Sequence, residues 1–157
     1  MTIQKGEKAP AFKLFNTDKK EVSSEDFKGK NLIVHFFPLA FTGVCTTQLC
    51  TVRDSIGSYK NDKADVVAIS VDSLFTLGKF KAEQNLQFDL LSDFNKEASK
   101  AFGALHETFP AFGMQGVSKR AAFVIDKEGT VQYAQVLETP GDLPDFAAIN
   151  ETLAGLN

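Results

Sequence analysis

The chain has no tryptophan and, among 157 residues, only two cysteines, two histidines and two methionines. Two cysteines cannot make a disulfide-stapled scaffold, and a chain of this length buries enough apolar surface to do without one. No Cys-x-x-Cys pair occurs, which excludes the usual dithiol-exchange site and the spacing of a zinc ribbon. No apolar run approaches the roughly 20 residues that a membrane-spanning helix needs. Basic excess is also missing: net charge is −3, so neither nucleic acid nor an anionic membrane is an expected partner. Gly6 and its neighbouring lysines form no phosphate loop, and no dinucleotide fingerprint follows a strand, so no cofactor is expected on this chain. Residues 1–8 are polar and carry no apolar signal core, which makes a cytoplasmic location the expectation. In a reducing compartment two cysteines are more often reactive than structural.

What is present reads as one domain spanning 1–157, without repeats, low-complexity tracts or linkers. Hydrophobic content of 43% and charged content of 24% are ordinary for a globular protein. Fifteen phenylalanines are a marked bias, and core filling is the reading available for them. Residues 1–10 form an extended lead-in to Pro10. Phe12, Leu14 and Phe15 start a hairpin whose turn is Asn16-Thr17-Asp18-Lys19. Ser23-Ser24-Glu25-Asp26-Phe27 resembles a capped helical turn ended by Gly29. Apolar runs at residues 31–37, 65–71 and 88–91 predict buried strands. Helical spacing predicts helices at 43–60 (Leu49, Val52, Ile56), 73–84 (Leu74, Leu77, Phe80), 95–102 and 144–156 (Phe146, Ile149, Leu153). Residues 104–119 hold Pro110, Gly113 and Gly116 and read as a loop. A strand–turn–strand hairpin follows at 121–126 and 130–137, turning at Lys127-Glu128-Gly129. Strands alternating with helices and then a hairpin call for an α/β architecture, a mixed sheet flanked by helices.

The densest information lies at Phe36-Phe37-Pro38-Leu39-Ala40-Phe41-Thr42-Gly43-Val44-Cys45. A buried strand is ended by proline, a short turn follows, and a cysteine sits where the next helix begins. Unpaired N–H groups and the positive end of the helix dipole favour an ionised sulfur there. Thr42, three residues earlier, can place its hydroxyl near that sulfur. The bland alternative is that Cys45 is a small buried hydrophobe.

The pattern Pro38-x-x-x-Thr42-x-x-Cys45 in a strand–loop–helix resembles the signature of the peroxiredoxins, thiol-dependent peroxidases on a thioredoxin-like fold. The resemblance covers roughly residues 3–137 in family order. It takes in Gly6-Glu7-Lys8-Ala9-Pro10-Ala11-Phe12, Ala68-Ile69-Ser70-Val71-Asp72, Phe88-Asp89-Leu90-Leu91-Ser92-Asp93 and Arg120-Ala121-Ala122-Phe123-Val124-Ile125-Asp126. It implies a thioredoxin-like α/β fold with a central mixed sheet flanked by helices and an N-terminal extension. A flavodoxin-like sheet fits less well, because the final hairpin requires antiparallel pairing. Phe36 to Gly43 looks like the AhpE-like one-cysteine branch, whereas the Cys45-x4-Cys50 spacing looks like the bacterioferritin-comigratory, or Q-type, branch. The first leans toward a homodimer and the second toward a monomer; a homodimer is slightly favoured.

The resemblance implies a catalytic set of Cys45 as peroxidatic thiolate, Arg120 as its cation and peroxide donor, Thr42 as a peroxide-positioning hydroxyl and Pro38 as a shield. Taken singly, Pro38 could merely stop a strand, Thr42 cap a helix, and Arg120 be a surface base beside Lys119. Many family members carry Glu three residues after the peroxidatic cysteine, where this chain has Gln48. That departure changes the charge near Cys45.

Cys50 is the candidate resolving cysteine for the sulfenic acid that peroxide leaves on Cys45. Five residues along an ideal helix separate Cα atoms by about 8.6 Å, and disulfides need less than about 7 Å. An internal bond therefore requires the first turns of the helix to unwind, and Thr46-Thr47-Gln48 contains no strong helix former. The alternative is direct attack by an external thiol. Either way a thiol reductant is an implied partner: thioredoxin first, a glutaredoxin- or mycothiol-type donor second. Phe41, Leu105, Phe109, Phe112 and Met114 are candidates for an apolar wall beside the site. A metal set of Cys45, Cys50, His35 and His106 is disfavoured, because His35 reads as a half-buried residue of an apolar strand. A redox sensor or an oxidation-activated chaperone on the same scaffold is the alternative function.

Overall fold

The computed structural model describes residues 3–59 and 64–156. Strands β1 (Lys13–Asn16) and β2 (Glu21–Ser23) form the expected hairpin, with Asn16 Oδ1 accepting from the N–H groups of Asp18 and Lys20 across the turn. A 3₁₀ turn over Ser24–Phe27 follows, closed by a capping box between Ser23 and Asp26. Strand β3 (Asn31–Phe36) is buried at every position and stops ahead of Pro38. Helix α1 (Gly43–Tyr59) leads to β4 (Ala64–Ser70). Helix α2 (Leu74–Gln84) starts on a Ser73 cap and ends at Asn85, whose left-handed backbone turns the chain. Strand β5 (Asp89–Ser92), helix α3 (Glu97–Ala101), strands β6 (Leu105–Thr108), β7 (Gln115–Ser118), β8 (Arg120–Ile125) and β9 (Val131–Leu137) and helix α4 (Phe146–Ala154) complete the order. None of the described helices is long and apolar enough to cross a membrane.

Seven strands make one sheet in the order β2-β1-β5-β4-β3-β8-β9. Strands β3, β4 and β5 are parallel, as helical crossovers require, while β8, β9, β1 and β2 pair antiparallel. This is the mixed sheet expected from the sequence. The loop expected over 104–119 is corrected: β6 and β7 pair as a separate two-stranded hairpin. Pro110 and Gly113 lie in its tip, so the breakers mark a turn between two short strands.

Period-2 alternation gives the sheet two apolar faces. Ile33, Phe37, Val66, Ala68, Leu90, Ala122 and Val124 pack under α1, α2 and α4, where they meet Leu49, Val52, Leu77, Phe80 and Ile149. Ile56, expected on the same helix face, lies outside the described side chains. Leu32, Val34, Phe36, Val67, Ile69, Leu91, Ala121 and Phe123 pack on the other side with Phe12, Ala98 and Phe102. Phe12, Phe36, Phe102 and Phe123 form a ring cluster with centroids 5.0–6.5 Å apart. Each fully buried ring contributes about 2 kcal/mol, so the phenylalanine bias is largely core filling. Phe15, Phe41, Phe75, Phe94 and Phe112 are the exposed exceptions.

Candidate active site

The site begins where β3 runs out. Phe37 N–H still donates to Ile69 O at 3.0 Å, and Pro38, with no N–H to give, turns the chain away. The loop is tethered from the neighbouring strand. The Asp72 carboxylate accepts from Ala40 N–H at 2.8 Å and from Ser70 Oγ at 2.7 Å. Phe41 sits in the left-handed region at φ 65°, a conformation costing a bulky residue about 1 kcal/mol or more. Its ring lies edge-on to Phe80, with centroids 5.2 Å apart. Helix α1 then starts, and Cys45 falls in its first turn, 1% exposed.

The cation comes from the other side of the sheet order. Ala122 pairs directly with His35, so Arg120, two residues earlier on β8, lies on the same face, the one covered by α1. Arg120 is 2% exposed. Its Nη1 donates to Cys45 Sγ at 3.3 Å and to Gln48 Oε1 at 2.8 Å, and its Nη2 donates to Pro140 O at 2.8 Å. The sulfur therefore sits between a buried guanidinium and the N-terminal turn of a helix. Gln48 is fully buried one turn after Cys45, and its Nε2 lies 3.0 Å from His35 Nδ1 and donates to Phe36 O at 3.3 Å.

Pro38, Thr42, Cys45 and Arg120 line one cleft of about 460 Å³. The fold thus brings together four residues separated by up to 82 positions. The Thr42 hydroxyl donates to Leu39 O at 2.7 Å, which leaves its lone pairs as acceptors. Phe109, Phe112 and Met114, from the tip of the β6–β7 hairpin, give the cleft its apolar side. The two other residues expected in that wall are corrected. Phe41 packs on Phe80, and Leu105 is tied into the β6–β7 ladder.

Cys45 and Cys50 are both free thiols on the unbroken α1. Cys50 is half-buried against α2, where its Sγ donates to Gln84 Oε1 at 3.4 Å. His35 is corrected from half-buried to fully buried, and burial pushes its pKa down to about 4, so it is neutral at physiological pH. His106 is buried against Phe109, with ring centroids 5.6 Å apart, and its pKa is lowered by burial and by the Lys119 charge. The side chains weighed as a metal set are therefore engaged separately. Three contributors were not anticipated from the sequence: the Asp72 tether, the Pro140 carbonyl and the partnership of Gln48 with His35. A histidine in an apolar strand and a glutamine at the usual glutamate position were the two available signals.

The AhpC/TSA family model matches residues 5–134. A Mycobacterium tuberculosis chain carrying the name peroxiredoxin is 42% identical over 132 residues, covering 83% of each chain. Alkyl hydroperoxide reductase E of the same organism is 33% identical over 154 residues, covering 96% of each. Among solved structures, a peroxiredoxin-like protein from Aquifex aeolicus superposes with a TM-score of 0.89 at 24% identity, covering 100% of this chain and 90% of that one, which shows the thioredoxin-like fold. The chain belongs to the AhpC/TSA family, the peroxiredoxins, whose members are thiol peroxidases.

Proposed function

We propose that this chain reduces hydrogen peroxide and organic hydroperoxides at Cys45, and that Cys50 resolves the product. The observation that carries this reading is the 3.3 Å contact from a buried arginine to a helix N-terminal sulfur in an apolar cleft. In the first step the Cys45 thiolate attacks one peroxide oxygen. The O–O bond breaks, an S–O bond forms, and hydroxide or alkoxide leaves, taking a proton from solvent. The sulfur is oxidised by two electrons and the peroxide is reduced by two. Arg120 has five N–H donors and uses three contacts within the protein, so it retains capacity for the oxygens between which charge moves. Thr42 holds the peroxide as an acceptor, and Pro38 covers one side of the sulfur.

In the second step the Cys50 sulfur attacks the Cys45 sulfenic sulfur, hydroxide leaves as water, and a disulfide forms. Because both residues lie on the continuous α1, the first turns of that helix open before the bond closes. A thioredoxin-type dithiol then reduces the disulfide by exchange and returns the helix.

The test is intact mass after one equivalent of hydrogen peroxide, followed by thiol blocking. Loss of two hydrogens at monomer mass, with no thiol left to block, supports the two-cysteine cycle. A gain of one oxygen with one thiol still blocked keeps the peroxidase and assigns resolution to an external thiol. Two blocked thiols at unchanged mass sink the proposal. Turnover with a thioredoxin system separates an enzyme, which consumes many equivalents, from a sensor, which consumes about one.

A further inference from the structure

Arg120 carries a full charge into a buried position, yet among the described residues it makes no ion pair with a carboxylate. Its neighbour at the position where a glutamate is usual is a neutral amide. That exchange matters because of geometry. A carboxylate offers the same acceptor from either oxygen, whereas an amide has one accepting end and one donating end. The Gln48 side chain serves Arg120 only when Oε1 faces the guanidinium; turned over, it presents N–H to N–H.

The groups around Gln48 decide which way it faces. Arg120 can only donate and the Phe36 carbonyl can only accept, so Oε1 belongs toward Arg120 and Nε2 toward β3. The Phe36 contact is long at 3.3 Å, and the shorter contact from Nε2 is the 3.0 Å one to His35 Nδ1. For that contact to be a hydrogen bond, Nδ1 must be bare and the ring proton must sit on Nε2. Burial keeps the ring neutral, with a pKa of about 4. His35 thus supplies the acceptor that an amide needs and a carboxylate would not. We infer that His35 is a positioning residue for the reactive cysteine: its Nδ1 fixes the Gln48 amide, and Gln48 in turn aims the Arg120 guanidinium at the Cys45 sulfur. The inference rests on Cys45 being the reactive thiol, and it assigns work to a residue that touches neither sulfur nor peroxide.

His35 also packs 6.1 Å from the Phe146 ring, so a purely structural role is the competing account. The test uses variants that separate the two, with Cys50→Ser as the common background so that only Cys45 reacts. His35→Phe keeps a ring and deletes the acceptor. His35→Asn discards the ring and leaves an acceptor close to the Nδ1 position. Iodoacetamide alkylation of Cys45 at pH 7 is followed by mass, alongside peroxide consumption in the same proteins. His35→Phe and Gln48→Leu are each expected to slow alkylation about tenfold, the lower range for a lost hydrogen bond to a charged group. The double variant is expected to be no slower than Gln48→Leu alone, and His35→Asn to stay within about twofold of the background protein, the scatter expected of a kept contact.

Parental reactivity in His35→Phe overturns the inference. So does a double variant whose loss is the product of the two single losses, or a His35→Asn as slow as His35→Phe. Where one His35 variant does not fold, the other is compared with the background protein and decides alone. Alkylation that follows the expected pattern in a chain that consumes no peroxide leaves the positioning role standing and removes the peroxidase reading.

Discussion

Replacing Thr46 and Thr47 together by alanine should slow the closure of the Cys45–Cys50 bond about tenfold and leave the peroxide step unchanged. Closure cannot occur on the helix as it stands, because the two Cα atoms of an ideal helix lie about 8.6 Å apart and a disulfide spans less than about 7 Å. Opening the first turns breaks the Thr46 N–H bond to Thr42 O at 2.9 Å and the Gln48 bonds to Arg120 and Phe36, and frees buried Leu49 from the core. The two threonines weaken this segment. Each is about 0.6 kcal/mol less favourable than alanine within a helix, so the pair contributes about 1.2 kcal/mol toward opening. Their hydroxyls bond back to the carbonyls of Thr42 and Gly43, contacts that satisfy the hydroxyls and do little for the helix. Thr47 is exposed and Thr46 half-buried, so alanine leaves no large cavity. With opening in fast equilibrium before closure, about 1.2 kcal/mol lowers the open population, and hence the rate, close to tenfold. Rapid quenching after one equivalent of peroxide, with sulfenic trapping and intact mass, gives both rates. A double variant that forms the sulfenic acid normally and closes the disulfide at the wild-type rate would refute the opening step.

Arg120→Met should reduce the peroxide rate at neutral pH about a thousandfold, since Arg120 Nη1 lies 3.3 Å from the sulfur and unit charges about 4 Å apart are worth about 4 kcal/mol at an effective dielectric of 20; stopped-flow consumption measures it, and a loss under tenfold contradicts the assigned role. Asp72→Ala should free the 38–42 loop and lower stability by about 1–2 kcal/mol through the lost acceptor for Ala40 N–H, read in urea melts together with a slower peroxide step. The pH dependence of stability follows from His35. Its folded pKa of about 4 lies below its ordinary 6.5, so between those values the unfolded chain takes up a proton that the folded chain refuses. Stability is therefore complete above pH 6.5 and falls, by roughly 3 kcal/mol, as pH drops toward 4. His106, also lowered, acts in the same direction. Urea melts at pH 7 and pH 4.5 should show this loss, and His35→Phe should remove most of it.

Most elements of the sheet were readable because each is long enough to show its period. Residues 32–36 are apolar except for His35, as suits a strand covered on both faces, and Leu74, Leu77 and Phe80 mark one helix face. The β6–β7 hairpin was not readable. Each strand has four residues, the pair stands apart from the main sheet, and the buried positions include His106 and Ser118, which carry no apolar signal. The motif residues Pro38, Thr42, Cys45 and Arg120 were legible as a set through the family resemblance, and the structure lines one cleft with them. The supports were not. Asp72 acts through a backbone N–H and Pro140 through a backbone carbonyl, which leave no pattern in residue type, while His35 and Gln48 stood out singly but gave no sign that they pair.

The cation reaches Cys45 by way of a ladder in which Ala121 stands opposite Phe36, and Arg120 and Cys45 are 75 residues apart in the chain. The contact between Arg120 and Cys45 therefore does not exist until that ladder does. A growing chain that has emerged through α1 but not yet through β8 holds a cysteine with no arginine beside it. On the role proposed for Cys45, its reactivity toward oxidants arrives together with the folded state, and unzipping β3 from β8 removes the Arg120 contact.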